Sequence, residues 1–181
     1  MPRFSPVNLS IATPETQKLL AGVQKKLGML PNMIATMAQS RVVAQAFLGF
    51  SQALAGGVTS ARLREQIALT VAEENGCGYC LAAHSAVGSS VGLTDDEVRD
   101  ARTATSPDRK TEAALQFARR VVDQRGAVSD DDIAAVRDAG YSDPEIVELI
   151  AHVALSIFTN YFNRAADTEI DFPLVAELVN S

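Results

Sequence analysis

The chain has 181 residues, the length of a single domain with room for a core that stands without disulfide staples. Against 22 acidic side chains stand 16 basic ones, so the net charge is −6, which argues against the cationic patch that nucleic acid or an anionic membrane surface requires. Hydrophobic residues make up 47% but aromatics only 6%, and 28 positions are Ala. The apolar content is therefore small and helix-forming, suited to close packing but poor in buried area per helix, which favours oligomerisation as a further source of burial.

In chain order, Pro, Gly and capping residues divide the sequence into helices. Thr13-Pro14 opens a first helix that Gly28 closes, Pro31 starts a short segment, and Ser40 caps a helix from Arg41 to Leu54 that Gly56-Gly57 ends. Ser60 opens the next, with Leu63, Ile67 and Val71 on one face, stopping at Asn75-Gly76. A helix over Gly78 to Val91 follows, then one opened by a capping box of Thr94 and Glu97. Ser106-Pro107 opens a long amphipathic helix ending at Gly126, Ser129 a short one ending at Gly140, and Ser142 with Glu145 forms a second box. The last helix, about Pro144 to Arg164, carries Ile146, Leu149, Ile150, Val153, Ile157 and Phe158, apolar over most of its circumference, and reads as a central buried helix. No stretch alternates with period two, so the expected fold is all-α.

Met1 to Ala12 contains no apolar run of the kind a signal peptide needs. The most apolar stretch, Ile146 to Phe162, is interrupted by Glu148, His152, Ser156 and Asn160 and falls short of the roughly 20 residues of a membrane span. The expected compartment is the cytoplasm. There, two cysteines three positions apart read as catalytic or metal-binding rather than structural.

Those cysteines belong to the informative segment, in which Cys77, Cys80 and His84 follow as C-x-x-C-x-x-x-H. On one helix the three share a face, with His84 one turn beyond Cys80. Imidazole beside a thiol accepts its proton, and a helix N-terminus further favours the thiolate; Gly76 and Gly78 set Cys77 near such a terminus. A carboxylate would complete a nucleophile, base and orienter arrangement. On a continuous helix Glu65 would lie about 18 Å from Cys77, but a reversal at Asn75-Gly76 would bring Glu65 and His84 to similar heights on two antiparallel arms. Spacing does not select it, since Glu73 and Glu74 stand nearer the turn.

Glu65, eleven intervening residues, Cys77-Gly78-Tyr79-Cys80, three more and His84 together resemble the signature of the carboxymuconolactone decarboxylase and alkylhydroperoxidase D (AhpD)-like superfamily, and within it the peroxidase-related branch with Tyr between the cysteines. Gly28-Met29-Leu30-Pro31-Asn32-Met33, Asn160-Tyr161-Phe162-Asn163 and Thr168-Glu169-Ile170-Asp171-Phe172-Pro173 extend the similarity over about residues 28–173 of one domain, 1–181. The resemblance implies an AhpD-like helical bundle, assembly into homo-trimers or hexamers, and thiol peroxidase activity on hydroperoxides without metal or haem. It implies Cys80 as the peroxidatic cysteine, Cys77 as the resolving one, Glu65 and His84 as a proton relay, and a dithiol or lipoyl-type reductant. The helix-terminus argument competes, since it favours Cys77 as the more acidic thiol; the histidine at i+4 favours Cys80. Other readings are a non-peroxidatic redox sensor or thiol-disulfide exchange protein, and a decarboxylase-like small-molecule member, although that side of the superfamily lacks the cysteine pair.

The remaining candidates have plainer readings. Tyr79 is a packing residue whose hydroxyl reaches toward the site. His152, among apolar neighbours, reads as a hydrogen-bonded core histidine, although with Cys77, Cys80 and His84 it has the composition of a zinc site. Asp130-Asp131-Asp132 after Ser129 reads as an acidic first helical turn. Asn160 and Asn163 are left between a pocket wall and an oligomer contact.

Overall fold

The computed structural model describes residues 1–176 and Leu178, and every regular element among them is an α-helix. The order is α1 (Pro14–Leu27), α2 (Asn32–Met37), α3 (Arg41–Ala55), α4 (Ala61–Glu74), α5 (Gly78–Ser90), α6 (Asp95–Arg102), α7 (Arg109–Asp123), α8 (Asp130–Asp138) and α9 (Asp143–Ala166). The starts follow local chemistry. The hydroxyls of Thr13 and Ser60 accept from the amides of Thr16 and Leu63, and capping boxes open α6, α8 and α9. Ser40 stands at the cap position of α3 without a side-chain bond, and α7 is capped by Asp108, which accepts from Thr111, rather than by Ser106. A carboxylate at the helix start displaces the weaker hydroxyl two residues earlier.

Helix α4 occupies the middle of the bundle. Every residue from Gln66 to Ala72 is buried, and the helix packs against α5, α6, α7 and α9. The main core joins Ile67, Leu69 and Val71 of α4 to Leu115 and Phe117 of α7 and to Leu149 and Val153 of α9. A second cluster, built on Leu20, Ile34 and Met37, holds α1 to α3 together, and Phe162 of α9 packs against it.

The apolar circumference expected of α9 divides in two. Ile146, Leu149 and Val153 are buried, whereas Val147, Ile150 and Phe158 remain exposed. The helix is also longer than the apolar stretch suggested. At 24 residues, with a mean hydropathy of 1.2 over 18 of them, it is long and apolar enough by composition to cross a membrane. In this fold it instead lies against α3, α4, α5 and α7 and buries His152, Ser156, Asn160 and Asn163.

Two connections position the site. Between α4 and α5 the chain reverses at Asn75-Gly76, where Gly76 adopts φ +60°. The Asn75 amide spans from the carbonyl of Val71 to Oδ1 of Asn160, each at 3.0 Å, tying the reversal to α9. Between α3 and α4, Glu148 of α9 accepts from the amides of Val58 and Thr59 and from the Thr59 hydroxyl. A Cβ at Gly57 would overlap the Glu148 carboxylate, so a side chain there would have to displace the carboxylate from these bonds.

Candidate active site

The α4–α5 hairpin performs the juxtaposition that spacing left open. Glu65 Oε2 and His84 Nδ1 are 2.7 Å apart, each partly buried. The two nearer glutamates point elsewhere: Glu73 pairs with Arg102 at 2.7 Å and Glu74 with Arg119 at 2.6 Å. An ionised carboxylate only accepts, so the bond to Glu65 places the proton on Nδ1 and leaves Nε2 of a neutral His84 as the basic nitrogen.

Cys77 and Cys80 are joined as a disulfide, with Cα atoms 5.3 Å apart and both residues almost wholly buried. Cys77 is the N-cap of α5, its Sγ receiving the Cys80 amide at 3.3 Å. Cys80 lies one turn inside. Both arguments for thiolate character thus have a structural counterpart, the helix start at Cys77 and the histidine one turn on from Cys80. A third was not legible from spacing: Asn163 Nδ2 lies 3.4 Å from Cys80 Sγ and 3.1 Å from Met33 Sδ. Asn163 is therefore a wall of the site, while Asn160, fully buried on Asn75, is structural.

Two flanking sequence motifs meet here. The Asn32 amide donates to Asp171 Oδ2 at 2.7 Å, and the Asn32 side chain donates to the Glu169 carbonyl at 3.1 Å. Residues after α9 therefore fold back onto the start of α2. Tyr79 is held between them, its hydroxyl accepting from the Met33 amide at 3.2 Å and its ring edge-on to Phe172 at 5.8 Å. Burial and, more weakly, the neighbouring Asp171 carboxylate raise the Tyr79 phenol above its ordinary pKa, against the opposing Met33 amide, so it stays neutral. Asp171 and Met33 had no individual signal in the sequence; only their place in the flanking motifs pointed to them.

Cys80, His84 and Glu65 open on a cavity of about 320 Å³. Its other walls are mostly apolar, with Ile34, Phe47, Ala68, Val87, Leu155 and Phe172 among them. This is the small end of the size range for organic ligands and about ten times the volume a water occupies in the liquid. Cys77 faces a different hollow, shared with Gly76, Arg164, Thr168 and Ile170.

His152 also lines the Cys80 cavity, and here the sequence expectation fails. The residue is buried as expected, 5% exposed, but its Nε2 has no hydrogen-bond partner. Its neighbours on α9 at i±3 and i±4 offer the ring no acceptor because they are apolar, small or engaged elsewhere. Burial and the Arg64 charge lower its pKa, outweighing Glu148 and Glu65, so the ring favours the neutral form. Among the described residues no three His, Cys, Asp or Glu side chains are grouped to hold a metal ion. The acidic run at residues 130–132 serves α8, with Asp132 closing the capping box on Ser129.

No curated protein matches the chain in sequence. Residues 42–124, which include the hairpin, match the carboxymuconolactone decarboxylase family. The structure is similar to that of a peroxidase-related protein from Silicibacter sp. TM1040, at 26% identity over 91% of each chain with a TM-score of 0.80. It is also similar to the debrominase Bmp8 in complex with 2,3,4-tribromopyrrole, at 26% identity over 93% of this chain and 91% of that one, TM-score 0.79. A peroxidase-related protein with an AhpD core from Ralstonia eutropha JMP134 shares the fold at 24% identity, 94% and 92% coverage and a TM-score of 0.83. The Glu65, Cys77, Cys80 and His84 pattern, assembled on one hairpin, thus lies within the segment that matches the carboxymuconolactone decarboxylase family, in a chain whose fold is similar to those of AhpD-like peroxidase-related proteins.

Proposed function

We propose that the protein is a cytoplasmic thiol peroxidase that reduces hydroperoxides through a Cys77/Cys80 dithiol–disulfide cycle. The observation that carries this reading is the 2.7 Å Glu65–His84 pair opening on the same cavity as Cys80 of the disulfide. His84 takes the Cys80 proton. The thiolate attacks the terminal peroxide oxygen, breaking the O–O bond, and the alkoxide leaves as an alcohol once protonated from His84. The Cys77 thiol then attacks the sulfenic sulfur, releasing water and forming the disulfide. A dithiol reductant restores both thiols and is itself oxidised to a disulfide. The protein works as a homo-oligomer.

The test is hydroperoxide consumption with a dithiol reductant by the wild type and by Cys80→Ser. Turnover by the wild type and loss in the variant support the assignment, and equal rates sink it.

One observation favours a second reading. The cavity beside Cys80 is largely apolar, as a halogenated aromatic would require, and the debrominase Bmp8 is among the similar structures. Reductive dehalogenation would draw two electrons from the same dithiol, replace halogen by hydrogen and release halide. Bromide release from a brominated pyrrole without hydroperoxide consumption would favour it over the first.

A further inference from the structure

The charged groups around the far part of the cavity, Arg64, Glu65 and Glu148, are already committed. Arg64 of α4 donates to the carbonyl of Thr59 at 2.9 Å and to that of Ala55 at 3.4 Å. Glu65 is bonded to His84, and Glu148 to the α3–α4 turn. His152 stands among these groups with a buried, unpartnered Nε2. A buried polar atom without a hydrogen bond is destabilising, so a sequence that only needed to fill this space would place an apolar side chain here.

The position of His152 relative to Cys80 follows from α9. His152, Leu155, Ser156, Thr159 and Asn163 all line the cavity, and their spacing puts them on one face of the helix. Asn163 touches Cys80. His152, eleven residues earlier, lies about 16 Å back along the helix axis. Hydrogen peroxide at Cys80 would not span that length, whereas an organic molecule lying along the α9 face would.

We propose that His152 is a specificity-determining residue: its imidazole hydrogen-bonds an uncharged hydroxyl or carbonyl group of an apolar organic substrate whose reacting end lies at Cys80. The assignment rests on the peroxidase reading for that orientation, but the binding it describes does not. The charged groups facing the ring are Arg64 and Glu65 from α4 and Glu148 from α9, with His84 of α5 on the same cavity; one cation against two carboxylates does not favour an anionic group. The neutral imidazole that burial imposes offers one donor and one acceptor, which suits an uncharged partner.

The test uses the disulfide form without peroxide, with phenethyl alcohol and ethylbenzene as redox-inert probes. Binding is followed by calorimetry and by the imidazole nitrogen resonances of His152. The alcohol should bind the wild type and shift the His152 signal; His152→Leu should weaken it about tenfold, His152→Gln should retain most of the affinity, and ethylbenzene should not distinguish the three. Equal affinity of the alcohol for wild type and His152→Leu, an unmoved His152 signal, or no binding of the alcohol overturns the proposal. Loss of the alcohol as complete in His152→Gln as in His152→Leu would make the role structural and would also overturn it. Retained turnover in Cys80→Ser would sink the peroxidase reading while leaving this binding result unaffected.

Discussion

His84 Nδ1 and Glu65 Oε2 meet at 2.7 Å across two helices joined by a single reversal at Asn75-Gly76. The pair fixes which imidazole nitrogen is free, and the carboxylate stabilises the imidazolium formed when His84 takes a proton. Glu65→Gln keeps the size and one hydrogen bond but removes the charge. On the proposed mechanism, oxidation of the reduced protein by hydroperoxide slows at least about tenfold in Glu65→Gln and about a hundredfold in His84→Ala, within the range for a positioned acid–base group. Stopped-flow measurement of the thiol oxidation rate checks this. Unchanged rates in both variants would remove the relay.

Asn163 gives a second, independent lever on Cys80. Its Nδ2 is 3.4 Å from the sulfur, and a hydrogen bond to a charged group contributes about 1.5–3 kcal/mol. At 1.36 kcal/mol per unit, Asn163→Ala is therefore expected to raise the Cys80 pKa by about one unit or more. Thiolate absorbance titrated in a Cys77→Ser background reads this directly. A pKa unmoved by the substitution would assign Asn163 to packing against Met33 alone.

The carboxylate of Glu148 tests the scaffold rather than the chemistry. The amide of Val58, then the amide and hydroxyl of Thr59, hold its pKa below the ordinary 4.5, with a smaller contribution from His152 and an opposing one from desolvation. A depressed carboxylate contributes stability that is fully present above the unfolded pKa near 4.5 and is lost as pH falls through the folded value. Glu148→Gln should therefore be less stable than the wild type at neutral pH, by on the order of 1–2 kcal/mol. The gap should narrow as pH falls below 4.5, measured by urea unfolding across that range. A gap independent of pH would mean that the bonds, not the charge, hold the α3–α4 turn.

Most of the helical skeleton was legible because its boundaries are written in local chemistry. Thr94 with Glu97 and Ser142 with Glu145 satisfy their own helix starts, and Gly76 and Gly126 take the left-handed turns. The choice of Glu65 was not legible from spacing, because it depends on Glu73 and Glu74 being drawn to Arg102 and Arg119, which lie 29 and 45 residues further along the chain. The same holds for Asn163 and Asp171. They reach the site through the packing of α9 on the hairpin and the return of the chain to Asn32, long-range contacts that leave no periodic trace. His152 was misread for a related reason: burial follows from its apolar neighbours, whereas the lack of a partner is a property of the cavity.

The outward face of α9 supplies the last prediction. Val147, Ile150, Phe158 and Tyr161 are 65%, 41%, 41% and 58% exposed, and with Ala154 they recur at intervals of three, four, four and three residues, the seam of a helix that packs on another helix. Val42 and Phe50 of the neighbouring α3 are exposed as well, and α3 buries only Ala44 of its 15 residues. Apolar side chains at this density on adjoining helices mark an interaction surface, and the proposed occupant is a second copy of the chain. Light scattering should give a mass that is a multiple of 19.3 kDa, and Ile150→Arg, which sets a charge in the middle of the seam, should shift the population toward monomer. The face of α9 that lines the Cys80 cavity lies on the opposite side, so the monomeric variant should keep the disulfide and the Glu65–His84 pair. A wild-type mass of 19.3 kDa at micromolar concentration would show that the seam is not a contact between copies of the chain.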